Sequence, residues 1–292
     1  NAGSLRFAAS QAAVAQTSIL TLSSLTRNAG GTVRFTGTGF GVAGDRNSVK
    51  FTTAPALTAN ILAYALVVDG ATVDLATHGG NGTAISKYAA YTTGAQTMWG
   101  NANTNARPSA DQTLTADRTL NSLVLDNGID LLGPAADRNI TIGNARGLVV
   151  QTGGSSLIAN NGQYCCKLLF GALEAIFHVQ GTLEMRRGTS GAADQNLTGT
   201  GGFTKSGSGT LLFNAVDSTL SGVWNINEGT LRTVGNLDSS LGAGTLSLNG
   251  GTIEMADTGN RNYARNTTVS ADFTLTPDRS ALGAGVTHTL GT

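Results

Sequence analysis

The sequence predicts an all-β chain wound as a parallel β-helix, and three observations carry that prediction. A five-residue unit recurs along the chain, glycine clusters between short apolar runs, and helical periodicity is weak throughout. The unit reads Gly, then Ser or Thr, an aliphatic residue, any residue, and a second apolar residue. It appears as GSLRF with Gly3, Leu5 and Phe7, as GTVRF with Gly31, Val33 and Phe35, and as GTLEM with Gly181, Leu183 and Met185. It returns as GTLLF with Gly209, Leu211 and Phe213, as GTLSL with Gly244, Leu246 and Leu248, and as GTIEM with Gly251, Ile253 and Met255. GTLRT at Gly229 is a weaker copy.

Period-two alternation places the two apolar positions of each unit on one face and the residue between them on the other. Those intervening residues include Arg6, Arg34, Glu184, Arg232, Ser247 and Glu254, which suit a solvated face. The leading glycine suits a corner, where positive φ is needed. Coils of roughly 20–25 residues would give about a dozen layers, each stacking its strand on the one below. A sandwich would also show many short strands, but these turns are rich in Gly, Asn and Ser and lack hairpin pairs.

In chain order, residues 1–75 read as N-terminal coils. Within them the Ala-rich stretch 8–16 suits one or two turns of helix, as a cap. Residues 76–110, containing AISKYAAYTTGAQTMWGN, are the least coil-like and read as a protruding loop or insertion. Residues 111–292 read as regular coils, clearest at 199–255, and the whole chain as a single β-helical domain.

Composition narrows the function. Charged residues make up 12% of the 292, with 18 basic balancing 18 acidic, so no footprint for nucleic acid or an anionic membrane appears. Forty glycines with only four prolines exclude a collagen or Pro-rich pattern. Aromatic residues are only 5%, which points to a narrow core of aliphatic layers. No run of about 18 apolar residues is present to span a bilayer. The only cysteines are neighbours, Cys165 and Cys166, in the run YCCKLLF. They read as small strand side chains that would close a strained vicinal disulfide if oxidised.

The run GTGGFTKSGSGTLLFNAVDSTLSGVWNINEGTLRTVGNLDSSLGAGTLSLNGGTIEM, residues 199–255, resembles the autotransporter-associated β-strand repeat. Gly201 to Leu211 match its Gly-Gly-hydrophobic-Thr-Lys-x-Gly-x-Gly-Thr-Leu start. Gly222 to Leu231, with Ile226 central, match its middle, and Ser240 to Gly244 its end, with Ser240 where the pattern has Ala. Asp217-Ser-Thr replaces the usual Asn-Thr-Tyr. The resemblance implies a right-handed, single-stranded β-helical passenger, exported and displayed at or beyond the outer membrane of a Gram-negative-type cell. It implies no catalytic residues.

Asp69 with Asp74, and Asp126 with Asp130, could pair as acid and base, but Asp at turns commonly bonds its own backbone. THGGNGTAIS nearly imitates a calcium nonapeptide, yet Ala84 stands where a carboxylate is needed. GFGVAG at 39–44 lacks the helix a dinucleotide site requires. His78, His178 and His288 share no ligand spacing. Trp99 and Trp224, with Tyr88 and Tyr91 near the first, could form a sugar platform, and the stretch holding Tyr88, Tyr91 and Trp99 is the candidate binding surface. The reading is therefore a non-catalytic extracellular scaffold with no cofactor and no metal, acting as an adhesin or stacking head-to-tail into a fibre, with itself or other surface polymers as partners. The first and last residues both break into the repeat unit, which suits a piece of a longer passenger or such a fibre subunit. The alternatives are a β-helical carbohydrate-active enzyme and a carbohydrate-binding module.

Overall fold

The computed structural model of the chain describes residues 3–10, 17–40, 47–133, 137–159, 166–187 and 196–291. Its elements there are strands, apart from two short 3-10 segments, Gln96–Met98 and Asp238–Leu241. Two eight-stranded sheets, all parallel, run the length of a stack. One contains Asn105–Ala106, Ser122–Leu125, Gly147–Gln151, Ala175–Val179, Phe203–Ser206, Trp224–Ile226, Leu246–Leu248 and Thr267–Val269. The other contains Gln112–Thr113, Leu131–Leu132, Ser155–Ala159, Thr182–Arg186, Thr210–Asn214, Thr230–Val234, Thr252–Met255 and Thr274–Pro277. A four-stranded third face holds Arg118–Leu120, Arg138–Ile142, Cys166–Gly171 and Leu197–Gly199. The fold is a parallel β-solenoid.

The recurring unit supplies the second long sheet. Leu183, Leu211, Leu231 and Ile253 stand in one register, and Met185, Phe213, Thr233 and Met255 in the next inward one. All eight are buried. Between them Glu184, Leu212, Arg232 and Glu254 line up on the outer face. Leu246 and Leu248 lie instead in the first sheet, opposite Trp224 and Ile226, and are also buried.

The leading glycines serve close approach more than torsion. Gly251 has φ of 81°, but Gly181, Gly209 and Gly244 do not adopt positive φ. A Cβ at Gly209 would collide with the Gly181 carbonyl oxygen, at Gly181 with that of Gly154, and at Gly244 with that of Gly222. Each corner thus sits directly on the corner below, and a side chain on one would push the coils apart.

The interior departs from simple aliphatic layering. Phe203 stacks on Trp224 with centroids 4.1 Å apart, and Phe177 lies 5.5 Å from Phe203 on its other side. Phe170 and Phe213 meet this column edge-on. Five of the aromatic residues gather in this column, where they add quadrupolar contacts to burial. The stack also has eight layers along each long sheet, fewer than a dozen. Its coils vary from the 17-residue step between Asn105 and Ser122 to the 29-residue step between Leu168 and Leu197.

The remaining layers are missing because the N-terminal third does not extend the stack. Its five-stranded sheet runs Ser4–Ala8, Thr32–Thr36, Ala65–Asp69, Thr72–Thr77, Ser86–Lys87, and the last two pairings are antiparallel. Ser18–Leu22 pairs in parallel with Asn47–Phe51. This unit lies against the outer face of the first long sheet. Its Phe35, Phe51, Ile61 and Leu75 share one buried cluster with the outward-facing Val124, Leu148, Val150 and Ile176 of the stack. Ser122–Leu125, Gly147–Gln151 and Ala175–Val179 are consequently buried on both faces. Strands covered on both sides read as continuous apolar runs, as SLVL and AIFHV do.

Several expectations change here. Leu5 is 46% exposed, because Ser4–Ala8 is the outermost strand of its sheet among the described residues; Gly3 beside it has open space, while Phe7 stacks on Phe35 at 5.4 Å. Gly31 lies against the Asn28 carbonyl, and Val33 and Phe35 are buried. The stretch 8–16 begins with the last residue of a strand, and residues 11–16 lie outside the described residues, so the cap helix is not described. Residues 76–110 contain the strands Ser86–Lys87 and Asn105–Ala106 and carry the chain from the lateral unit into the stack.

Candidate functional site

The carboxylates singled out in the sequence fall into two groups. The turn between Ala65–Asp69 and Thr72–Thr77 holds Asp69, which accepts from Lys87 Nζ at 2.7 Å and from the Gly39 amide at 2.9 Å. Asp130 accepts the Leu157 amide at 2.8 Å. These are turn and strand-end roles.

Asp74 and Asp126, distant in sequence, converge on Arg107. Its guanidinium holds Asp126 in a fork, Nε at 2.8 Å and an NH2 nitrogen at 2.9 Å, and reaches Asp74 at 2.5 Å. Thr152 donates its hydroxyl to Asp126 at 2.7 Å. The Tyr91 ring lies under the guanidinium, 5.2 Å from centroid to carbon, and its hydroxyl accepts the Leu75 amide at 2.9 Å. Burial pushes the Asp126 carboxyl up, but the bonds from Arg107 and Thr152 outweigh it and hold it below the usual carboxylate range. Burial pushes the Tyr91 hydroxyl well above its ordinary value. A carboxylate kept ionised by a bidentate arginine is a poor general acid. The cluster joins the hairpin, the linking segment and the first turns of the stack.

The aromatic platform is dispersed. Trp99 is buried inside the stack, where it packs with Leu114 and Leu120. Tyr88 and Tyr91 meet edge-on at 5.0 Å and are half-buried against the lateral unit. Cys166 is buried, with Sγ 3.6 Å from the Ala159 carbonyl oxygen. Cys165 and the vicinal pairing lie outside the described residues.

Three charged residues whose partners the sequence did not mark organise the seam and a corner of the stack. Glu174 accepts from Arg27 at 2.7 Å, from the Gly30 amide at 3.1 Å and from the Thr204 hydroxyl at 2.6 Å. Arg34 pairs with Glu228 at 3.1 Å. Lys205 is the third. Its register neighbours Phe177 and Ile226 belong to the interior, so its side chain points inward too. Its ammonium donates to the carbonyl oxygens of Ser206, Gly207 and Glu228 at 2.9, 2.8 and 3.0 Å, closing a corner from within. Burial lowers its pKa to about 7, with Glu228 pulling the other way. The signal was the Thr-Lys-x-Gly-x-Gly string, in which the lysine takes an inward register. On the seam side His178 bonds Ser206 Oγ at 2.8 Å and Gln180 Nε2 at 2.7 Å. Burial, then Lys205 and Arg34, hold its pKa well below the ordinary imidazole value.

No curated protein and no solved structure matches the chain. Residues 203–232 match the family model of the passenger-associated-transport-repeat. That span begins at the strand Phe203–Ser206, includes the lysine-closed corner and Trp224, and ends inside Thr230–Val234. The chain thus carries an autotransporter-associated repeat within a parallel β-solenoid, which points to a passenger-type β-helical domain of a surface or secreted protein.

Proposed function

We propose that the chain is a non-catalytic extracellular scaffold, carried to the surface of a Gram-negative-type cell as an autotransporter passenger. The observation that supports it most directly is the side-chain ladder that passes through the matched repeat without interruption, from Leu183 to Ile253. Asp74 and Asp126, one from each acid pair the sequence offered, are both closed by Arg107, which favours a structural role over hydrolysis. The test places the chain between a secretion signal and an outer-membrane autotransporter barrel in a Gram-negative host. Display at the surface, read by external protease and antibody, is the expected result, with no sugar released from a panel of polysaccharides. Retention in the periplasm, or hydrolysis of any polymer, overturns the reading.

A self-associating role has its own support. Among the described residues, Thr267–Val269 and Thr274–Pro277 stand at one end of the two long sheets, and Val269 and Leu275 there are exposed. Unpaired parallel edges with apolar side chains are templates for further strands. Stacking would continue there through a second copy, and electron microscopy at high concentration distinguishes filaments, the expected result, from dispersed rods.

A further inference from the structure

Ser4–Ala8 and Thr32–Thr36 place Arg6 directly opposite Arg34. Like charges in that position repel unless a counter-charge compensates them. Arg34 has one in Glu228, which also accepts the Gly207 amide at 3.0 Å. Arg6 donates from Nε to the Thr36 hydroxyl at 3.2 Å and has no carboxylate partner among the described residues. Both arginines open onto a cleft of about 500 Å³ where the lateral sheet meets the side of the stack. That volume lies within the range of small-molecule sites, about 300–1,000 Å³. Thr38 and Gln180 also line it, alongside the short apolar surfaces of Ala8 and Val68.

We propose that this cleft binds a hydroxylated carboxylate of the uronic-acid class. Among the described residues the two terminal nitrogens of the Arg6 guanidinium have no partner, so they can take a carboxylate as a fork, which a lysine cannot match. The Thr38 hydroxyl, and the Gln180 amide beyond its bonds to His178 and Ser208, supply donors and acceptors for ring hydroxyls. Anion binding also relieves the repulsion between Arg6 and Arg34. The ligand is either a free sugar acid or one residue of an acidic polysaccharide.

Isothermal titration of the full chain with glucuronate, an oligo-uronide, glucose and inorganic phosphate tests the assignment. The expected result is saturable glucuronate binding, no heat from glucose, a loss of tenfold or more in affinity for Arg6→Ser, and a smaller loss for Arg6→Lys. Arg6 is exposed and its charge faces that of Arg34, so its replacement by Ser should not lower the thermal midpoint. Tighter binding of the oligo-uronide than of glucuronate assigns the polymer as source, and equal binding the free acid. The proposal is overturned if glucuronate does not saturate, if glucose or phosphate binds as tightly, or if a folded Arg6→Ser binds as wild type does.

Discussion

At Gly209 the backbone torsion is one that any residue adopts, yet a methyl group there would strike the carbonyl oxygen of Gly181 one coil below. The constraint lies in stacking distance, since adjacent parallel strands sit about 4.8 Å apart and a corner has no slack to yield. Gly209→Ala should therefore cost about 1–3 kcal/mol, as overpacking does. Gly3→Ala, with open space around it, should change stability by less than about 0.5 kcal/mol. Equal denaturation midpoints for the two variants would refute stacking as the reason for the glycine. Lys205 makes a second residue-scale case. Its folded pKa, about 7, lies below that of an unfolded lysine. Above pH 10.5 neither state carries the charge. As pH falls from there toward 7, the unfolded chain takes up a proton that the folded chain refuses, so stability is lost on the way down. The contribution amounts to ~1.4 kcal/mol per pH unit across that window. Urea titrations at pH 7.5 and 9.5 should show this rise in wild type and a smaller one in Lys205→Met. Identical slopes would mean that the ammonium is not suppressed by burial.

Between elements, Arg107 adds a charged link to the apolar seam, tying the hairpin Asp74 to the turn Asp126. Arg107→Met leaves two partly buried carboxylates without a counter-charge and should cost about 1–3 kcal/mol near neutral pH. Asp126 has a depressed folded pKa, so its contribution is present above the unfolded carboxylate value and disappears as pH falls through the folded one. The wild-type advantage over Arg107→Met should accordingly shrink in acid, and equilibrium unfolding at pH 7 and pH 3 measures it; a constant difference would place the cost in lost packing instead. The strands of the second long sheet were legible in the sequence because Leu183, Leu211 and Ile253 alternate with solvated residues and follow a glycine. The Arg107 cluster was not, because its three charges come from residues 74, 107 and 126, and nothing local marks them as partners. Lys205 escaped for the opposite reason: a local rule sends lysine outward, and three carbonyl acceptors at the corner override it. The burial of Trp99 was equally hidden, since an aromatic residue in a glycine-rich segment carries no record of what closes over it.

For the molecule as a whole, the lateral unit is held by an apolar seam pinned by ion pairs, and that seam can be broken without touching the interior of the stack. Continuous runs such as SLVL and AIFHV were the trace of it in the sequence, because an ordinary solenoid strand would place polar residues outward. Ile176 faces the seam between Leu148 and Thr204 and is 1% exposed. Ile176→Asp would place a carboxylate there with no solvent, a cost of several kcal/mol that undocking relieves. Leu212, on the outer face of the opposite sheet, is half-exposed, so Leu212→Asp is the control for a charge added to the same stack. Hydrogen exchange should then separate the two units: amides of Thr32–Thr36 lose protection in Ile176→Asp, whereas those of Thr210–Asn214 and Thr252–Met255 keep it, and Leu212→Asp changes neither. Local opening of this kind follows if the lateral unit is a separate cooperative element resting on a self-sufficient stack. Uniform loss of protection across all three strands would instead mean that the stack needs its lateral cover in order to fold, and the scaffold would then be the two parts together.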